Sequence, residues 1–165
     1  MNYGDYWKAA FAIALSELEG VGSVPVRDIY NALQRHKGDF RKQGKALLTC
    51  LGEKGWRWKF FNKPLDSAKD YKEMALLFAA RVEMLAHGLN RKQQLMEVAE
   101  RRPYWEFSAG LDDEIPERCR AMNGTIKHFK DPFWQDVFPP CNHPSCTCQV
   151  LSLSERDLAK KKGHA

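Results

Sequence analysis

Apolar positions in the first hundred residues recur at helical spacing, in segments separated by glycines and prolines. The first segment predicts an amphipathic helix, because its apolar residues follow one another at intervals of three and four. They are Tyr6, Trp7, Ala10, Phe11, Ala14, Leu15 and Leu18. A second helix is predicted after Pro25, with Ile29 and Leu33 on its inner face. Asp39 is a suitable N-cap for a third helix. The predicted apolar positions of that helix are Phe40, Leu47, Leu48 and Leu51.

Aromatic and basic residues alternate strictly from Trp56 to Phe60, which predicts a strand with three rings on one face and two cations on the other. Such a strand could stack its rings on nucleic acid bases while its cations neutralise phosphates. The pattern favours the simpler interpretation that the rings pack against the helices, because large aromatic side chains are the usual way to close a small core.

The longest predicted helix begins at Asp66 or Ser67 and runs to about Glu100. Its inner stripe consists of Tyr71, Met74, Phe78, Val82, Leu85 and Leu89. Gly88 interrupts this stripe, although an interior glycine costs about 1 kcal/mol relative to alanine. The glycine therefore indicates either close packing or a bend at that position.

Beyond residue 102 the apolar segments become short and turns become frequent. Strands are predicted at Tyr104–Phe107, at Thr125–Phe129 after the Asn123-Gly124 turn, and at Cys148–Leu153. A last short helix is predicted from Ser154 or Glu155 onward.

These elements predict an α+β fold in one compact unit. Residues 1–102 form a helical half with about four helices, one of them long, and residues 103–165 form a small turn-rich β region. The chain has 165 residues, 44% of them hydrophobic, which suits a single domain with a real core. No run approaches the ~20 apolar residues of a membrane helix. Met1–Asp5 lacks the basic start of a secretory signal, so we expect the protein to stay in a cytosol with reduced thiols.

The formal net charge of +5 is modest, but its distribution is uneven. Residues 35–63 hold nine lysines or arginines and two acids, whereas residues 106–117 hold five acids and no base. Such segregation suggests contact with charged partners, either nucleic acid or other protein subunits. The candidate nucleic-acid contacts are Arg41, Lys42, Lys45, Arg57 and Lys59.

The most informative chemistry is a group of cysteine and histidine residues near the C-terminus. Residues 141–148 hold three cysteines and one histidine, and Cys119 lies upstream. Thiolate and imidazole donors suit zinc, and a structural zinc site takes four of them. The predicted ligands are Cys119, His143, Cys146 and Cys148. Cys141 is the nearer rival for the fourth position. Idle buried thiols and disulfides are the alternatives.

Two other groups of residues raise the question of catalysis. Asp112, Asp113, Glu114 and Glu117 could hold a hard cation or act as acid and base, but a solvated turn is the simpler interpretation. His128 could serve as a general base in a nuclease, although no residue pair near it has diagnostic spacing. No catalytic residue is therefore assigned, and enzymatic activity is not expected.

The motifs of the C-terminal half resemble a known family. Their order and spacing are specific: Arg102-Pro103-Tyr104-Trp105-Glu106-Phe107, Asp112, Met122-Asn123-Gly124, Asp131-Pro132-Phe133-Trp134, Phe138-Pro139-Pro140 and Cys146-Thr147-Cys148-Gln149-Val150. Over residues 83–155 the chain resembles the Mu F-like minor head proteins of tailed phages and prophages. A weaker likeness reaches back to Phe40 and to residues 51–56. Where the family commonly has a histidine before its Asn-Gly or Asp-Gly turn, this chain has Cys119, and cysteine is also able to bind zinc.

The resemblance implies a role in phage head morphogenesis, as a minor capsid component that acts near the portal during assembly and DNA packaging. The implied partners are other phage head or portal proteins, and DNA is a further candidate. No membrane partner is expected. The protein could form oligomers. The implied location is the cytoplasm of the bacterial host and the virion or procapsid. A nucleic-acid-binding module and a nuclease-like enzyme of phage origin are the alternative functions.

Overall fold

The computed structural model describes residues 3–110, 115–141, 143 and 146–163. Seven helices lie in these ranges: α1 (Tyr3–Leu15), α2 (Val26–Gln34), α3 (Phe40–Leu51), α4 (Ala68–Glu97), α5 (Glu117–Met122), α6 (Phe133–Val137) and α7 (Glu155–Gly163). The same ranges contain five short strands: β1 (Leu18–Glu19), β2 (Arg57–Trp58), β3 (Tyr104–Ser108), β4 (Ile126–His128) and β5 (Gln149–Leu153). The predicted α+β class and the helical first half are confirmed. In the described ranges, no helix is both long enough and apolar enough to span a bilayer.

Close packing divides the chain into two units, residues 1–87 and residues 88–165, and the division falls inside α4. The change in composition that motivated a boundary after residue 102 lies five residues beyond the end of that helix. The boundary at residue 102 stays a prediction about how the chain is organised.

The first unit has a core of aromatic and aliphatic side chains from α1 to the first part of α4. Trp7 packs against Phe11 and Tyr30 at ring-centroid distances of 6.0 and 5.4 Å. Trp58 is fully buried and contacts Phe78 edge-on at 6.0 Å. The predicted helical stripes explain most of this core, because the positions at spacings of three and four are the buried ones.

Two buried carboxylates also lie in the first unit. Glu83 accepts hydrogen bonds from Trp7 Nε1 at 2.9 Å, Gln43 Nε2 at 2.8 Å and the backbone N–H of Gly38 at 3.1 Å. Glu17 forms an ion pair with Arg81 at 3.0 Å and accepts a bond from Trp58 Nε1 at 3.0 Å. These groups satisfy the requirement that buried charges be paired or hydrogen-bonded.

The structure corrects two details of the predicted first half. Phe40 is 43% exposed, whereas Gln43 and Gly44 of the same helix are buried. The inner face of α3 therefore includes the polar side chain that contacts Glu83, a partner remote in sequence. The strand predicted from Trp56 to Phe60 is only the two residues of β2, which pair with β1. The expectation that the rings pack inward is confirmed for Trp56 and Trp58, both of which are buried.

The second unit contains an antiparallel sheet in the order β4-β3-β5. The central strand β3 pairs Trp105 with Lys127 on one side and with Ser152 on the other. Its burial alternates, so Trp105 and Phe107 are fully buried. All three strands overlap the segments in which the sequence predicted them. The short helices α5 and α6 were not predicted, because neither is long enough to show a helical period.

Arg102 joins the end of the sheet to α7. Its guanidinium donates to the carbonyl oxygen of Ser152 at 2.6 Å and lies 2.9 Å from a carboxylate oxygen of Asp157. Asp157 also accepts bonds from the backbone and hydroxyl of Ser154, the residue before α7. The hydroxyl oxygen of Ser154 in turn accepts the backbone N–H of Asp157 at 3.2 Å, so α7 begins with a reciprocal side-chain cap.

Candidate metal centre

Three parts of the second unit contribute the cysteine and histidine side chains. Cys119 lies on α5 and is fully buried. Cys141 and His143 follow the Pro139-Pro140 pair, and Cys146 and Cys148 lie immediately before β5. Because Cys148 precedes a strand at the edge of the sheet, the position of its sulfur depends on the pairing of β5 with β3.

Four of these residues bring their donor atoms together. The thiols of Cys119, Cys141 and Cys148 and the imidazole of His143 have donor atoms that all lie within 4.8 Å of one another. A tetrahedral zinc ion with Zn–S bonds of about 2.3 Å requires donor atoms roughly 3.8 Å apart. The observed grouping therefore fits a small tetrahedral ion with modest local adjustment. The three cysteines are buried, which is typical of a closed structural site.

Cys146, which the sequence also suggested as a ligand, lies beside this group. Its sulfur accepts a hydrogen bond from the backbone N–H of Cys141 at 3.1 Å. Five side chains able to bind zinc thus lie in this region, whereas a tetrahedral site takes four. The residues 146 and 148 were expected to share the face of a strand, but β5 begins at Gln149, so both precede it. The choice between Cys141 and Cys146 as the fourth ligand stays a prediction.

The thiols of this group differ in acidity. A hydrogen bond from the side chain of Cys141, with further backbone hydrogen bonds, lowers the pKa of Cys146 to about 5. The same side-chain bond, together with burial, holds the pKa of Cys141 well above its usual range. Burial raises the pKa of Cys148 to about 12, although the backbone N–H of Gly110 donates to its sulfur. Crowded thiols can ionise together only when a cation neutralises them, so this environment suits a metal ion.

Close backbone packing positions the residues that surround the donors. A Cβ atom on Gly88 of α4 would lie 2.6 Å from both the carbonyl oxygen of Pro139 and Cδ of Pro140. The glycine therefore allows the segment before Cys141 to pack directly on the helix. Lys92 of the same helix forms a cation–π contact with Phe138, and its amine lies 5.3 Å from the ring centre.

Two of the residues considered for catalysis, Glu117 and His128, lie in the part of the chain that the structure describes. Asp112, Asp113 and Glu114 lie outside the described residues. Glu117 is exposed on α5, 4.0 Å from Arg120. The ring of His128 is exposed and packs beside Phe129, and its Nδ1 accepts a hydrogen bond from the backbone of Lys130 at 3.2 Å.

The five basic candidates for nucleic-acid contact are all exposed on the first unit. Arg57 donates hydrogen bonds to the carbonyl oxygens of Phe61 and Lys63, which gives it a structural role in that loop. The Lys59 amine lies 4.9 Å from the centre of the Phe60 ring.

The remaining three basic candidates lie on α3. Arg41 is exposed on the helix, and Lys42 and Lys45 line a groove between α2 and α3. Two further groove residues, Arg35 and His36, were not singled out from the sequence. Their signal was their position at the end of α2, directly before the turn into α3.

Comparison with known proteins assigns the sequence to a family. The sequence matches the profile of the family described as "Phage Mu protein F like protein" over residues 46–151. The resemblance seen in the motifs is therefore confirmed, and the match also includes residues 51–56, where the likeness was weaker. The chain is 31% identical over 116 residues to the Mu-like prophage FluMu F protein of Haemophilus influenzae. The aligned region covers 70% of this chain and 28% of that protein. It is 39% identical over 118 residues to the putative capsid assembly protein F of Escherichia phage Mu. The aligned region covers 67% of this chain and 26% of that protein.

The chain therefore aligns with little more than a quarter of the length of either relative. No solved structure matches it. The family match includes every donor from Cys119 to Cys148, and it covers well over half of the 165 residues. The chain belongs to the family of phage Mu protein F like proteins.

Proposed function

We propose that this protein acts in the assembly of a phage or prophage head, and that one structural zinc ion holds its second unit in shape. The observation that carries the proposal is the grouping of Cys119, Cys141, His143 and Cys148 within the residues that match the family. The similarity to a phage Mu protein named as a putative capsid assembly protein supports the assembly role.

The zinc ion would connect parts of the unit that share little regular structure. Cys119 comes from α5, and the remaining donors come from the segment between α6 and β5. A four-coordinate ion would join the two and add its binding free energy to the stability of the fold. A rigid second unit would then present a fixed surface to other head proteins.

The proposed partners are other phage head proteins, including the portal, with a role during DNA packaging. The proposed location is the cytoplasm of the bacterial host before assembly and the procapsid or virion afterwards. Family membership and the name of the phage Mu relative support the association with other head proteins, and the portal, DNA packaging and the location are part of this proposal.

Elemental analysis of the reduced protein tests the metal assignment. We expect about one zinc per chain. Cys148→Ser should lose it, because Cys148 belongs both to the ligand set predicted from sequence and to the group seen in the structure. Cys50→Ser is the matched control, because Cys50 is a free cysteine on α3 of the first unit. Metal-free wild-type protein, or equal zinc in both variants, would refute the site.

A genetic experiment tests the assembly role separately. In a phage that carries this gene, inactivation should reduce the number of complete heads seen by electron microscopy. The wild-type gene and Cys50→Ser should restore them, whereas Cys148→Ser should restore fewer. Normal head numbers without the gene would contradict the assembly role and leave the metal measurement unaffected.

A further inference from the structure

A groove of about 670 Å³ runs between α2 and α3 on the first unit. Its lining residues are Asp28, Asn31, Ala32, Arg35, His36, Lys42, Lys45, Ala46, Thr49 and Cys50. This volume lies within the usual range for ligand sites, about 300–1,000 Å³. Most of the groove precedes residue 46, where the family match begins. The groove is therefore a separate feature from the cysteine and histidine group.

The charges in the groove are segregated toward one end. The short turn between α2 and α3 forms a helical hairpin, so the end of α2 lies near the start of α3. Arg35 and His36 follow α2, and Lys42 belongs to the first turn of α3. At the opposite end Asp28 is close enough to Cys50 to raise the pKa of that thiol, after the larger effect of burial. Seven residues of helix separate Asp28 from Arg35, a rise of about 10 Å.

The cations at the basic end are available to a ligand. Arg35 and Lys45 are exposed, and in the described part of the chain neither forms an ion pair. Lys42 lies 3.2 Å from Asp39, but this pair is exposed and contributes little. Lys42 and Lys45 are three residues apart on one helix, so they point to the same side.

We infer that this groove binds the phosphodiester backbone of a DNA strand. Three permanent cations and one imidazole line the basic end, which matches a chain of phosphates better than a single small anion. The lining also includes Ala32 and Ala46, whose small side chains leave room for a strand. The inference requires neither the zinc ion nor the assembly role.

Binding of a fluorescent single-stranded oligonucleotide, measured at several salt concentrations, tests this assignment. Arg35→Gln with Lys45→Gln should lower the affinity about tenfold or more at physiological salt. It should also reduce the slope of log affinity against log salt by about 1.4, because each phosphate contact on a single strand contributes about 0.7. Lys69→Gln with Lys72→Gln is the matched control, because it removes the same charge from exposed positions on α4 that lie outside the groove and outside the candidate contacts. We expect the control to change the affinity less than threefold.

Competitors and a second variant complete the test. Arg35→Lys with Lys45→Arg keeps the charges and should bind like the wild type, which separates loss of charge from loss of structure. Equal losses in the groove and control variants would overturn the assignment. Displacement of the oligonucleotide by poly-aspartate at equal charge would also overturn it and would point to an acidic protein partner. Displacement by inorganic phosphate far beyond its effect on ionic strength would indicate a single-anion site instead.

Discussion

Gly88 and Pro139 are in direct contact: a Cβ atom at position 88 would lie 2.6 Å from the carbonyl oxygen of Pro139. This distance is too short for two non-bonded atoms, and the oxygen belongs to backbone that cannot rotate away. The contact explains the glycine that interrupts the apolar stripe of α4. It also connects that helix with the segment that leads to Cys141.

We expect Gly88→Ala to destabilise the protein by about 1–3 kcal/mol, the usual cost of forcing extra atoms into a packed site. The sign of the change in unfolding free energy is informative, because the intrinsic helix propensity of alanine alone would stabilise the variant by about 1 kcal/mol. Denaturant unfolding measures the change. Gln94→Ala, at an exposed position of the same helix, is the control and should stay within about 0.5 kcal/mol. A Gly88→Ala variant as stable as the wild type would contradict the packing argument.

Serine variants of Cys141 and Cys146 distinguish the two candidates for the fourth ligand. The donor atom of Cys141 lies within the group of four, whereas the sulfur of Cys146 accepts a bond from the backbone of Cys141. We therefore expect Cys141→Ser to weaken zinc binding by 100-fold or more, because it removes a ligand.

Cys146→Ser should have a smaller effect, about 10–100-fold, which is typical of a residue that supports a ligand. Competition with a chelator of known affinity measures both variants, and Cys50→Ser controls for the general loss of a thiol. The reverse order of effects would assign Cys146 as the ligand.

The buried ion pair between Glu17 and Arg81 provides a test of the first unit. Both side chains are almost fully buried, and their charged atoms lie 3.0 Å apart. Arg81→Met should cost about 3–5 kcal/mol, because it leaves a carboxylate buried without its cation. The exposed pair of Lys63 and Glu73 is the matched comparison, and Lys63→Met should cost less than about 1 kcal/mol. Thermal or denaturant unfolding gives both values. Similar losses for the two variants would show that burial does not decide the contribution of the pair.

The cap at the start of α7 predicts a dependence on pH. Hydrogen bonds from the backbone and hydroxyl of Ser154, and the nearby Arg102 guanidinium, hold the pKa of Asp157 below its usual value. A carboxyl group with a lowered folded-state pKa stabilises the fold above its unfolded pKa, about 3.9, and that contribution is lost as the pH falls through the folded value.

Asp157→Asn should therefore be less stable than the wild type at neutral pH, and the difference should shrink as the pH falls below the unfolded pKa of about 3.9. Urea midpoints measured across this range test the prediction. Gln94→Ala removes no ionisable group and is the control, so its difference from the wild type should not change with pH. A difference between Asp157→Asn and the wild type that is constant with pH would contradict the role of the charge.

Local pattern was sufficient to predict the long elements of this protein. The apolar spacing of α1, α2 and α4 identified their buried faces, and Asp39 marked the start of α3. Short apolar segments bounded by turns identified β3 and β5 in the second unit. These features depend on residues within one or two turns of each other, so the printed order contains the information. The helices α5 and α6 were not predicted, because each is shorter than the window in which a helical period can be recognised.

Sequence alone also identified the family and the candidate metal ligands, since the motifs and the density of cysteine and histidine are visible in the chain. Only the tertiary structure decided which donors meet, because the order β4-β3-β5 and the packing of Pro139 on Gly88 set distances between remote residues. The same is true of Gln43, whose burial follows from its hydrogen bond to Glu83, and of the groove that adds Arg35 and His36 to the basic side chains of α3. Periodicity fixes the face on which a side chain lies, whereas the neighbour it meets depends on how separate elements pack.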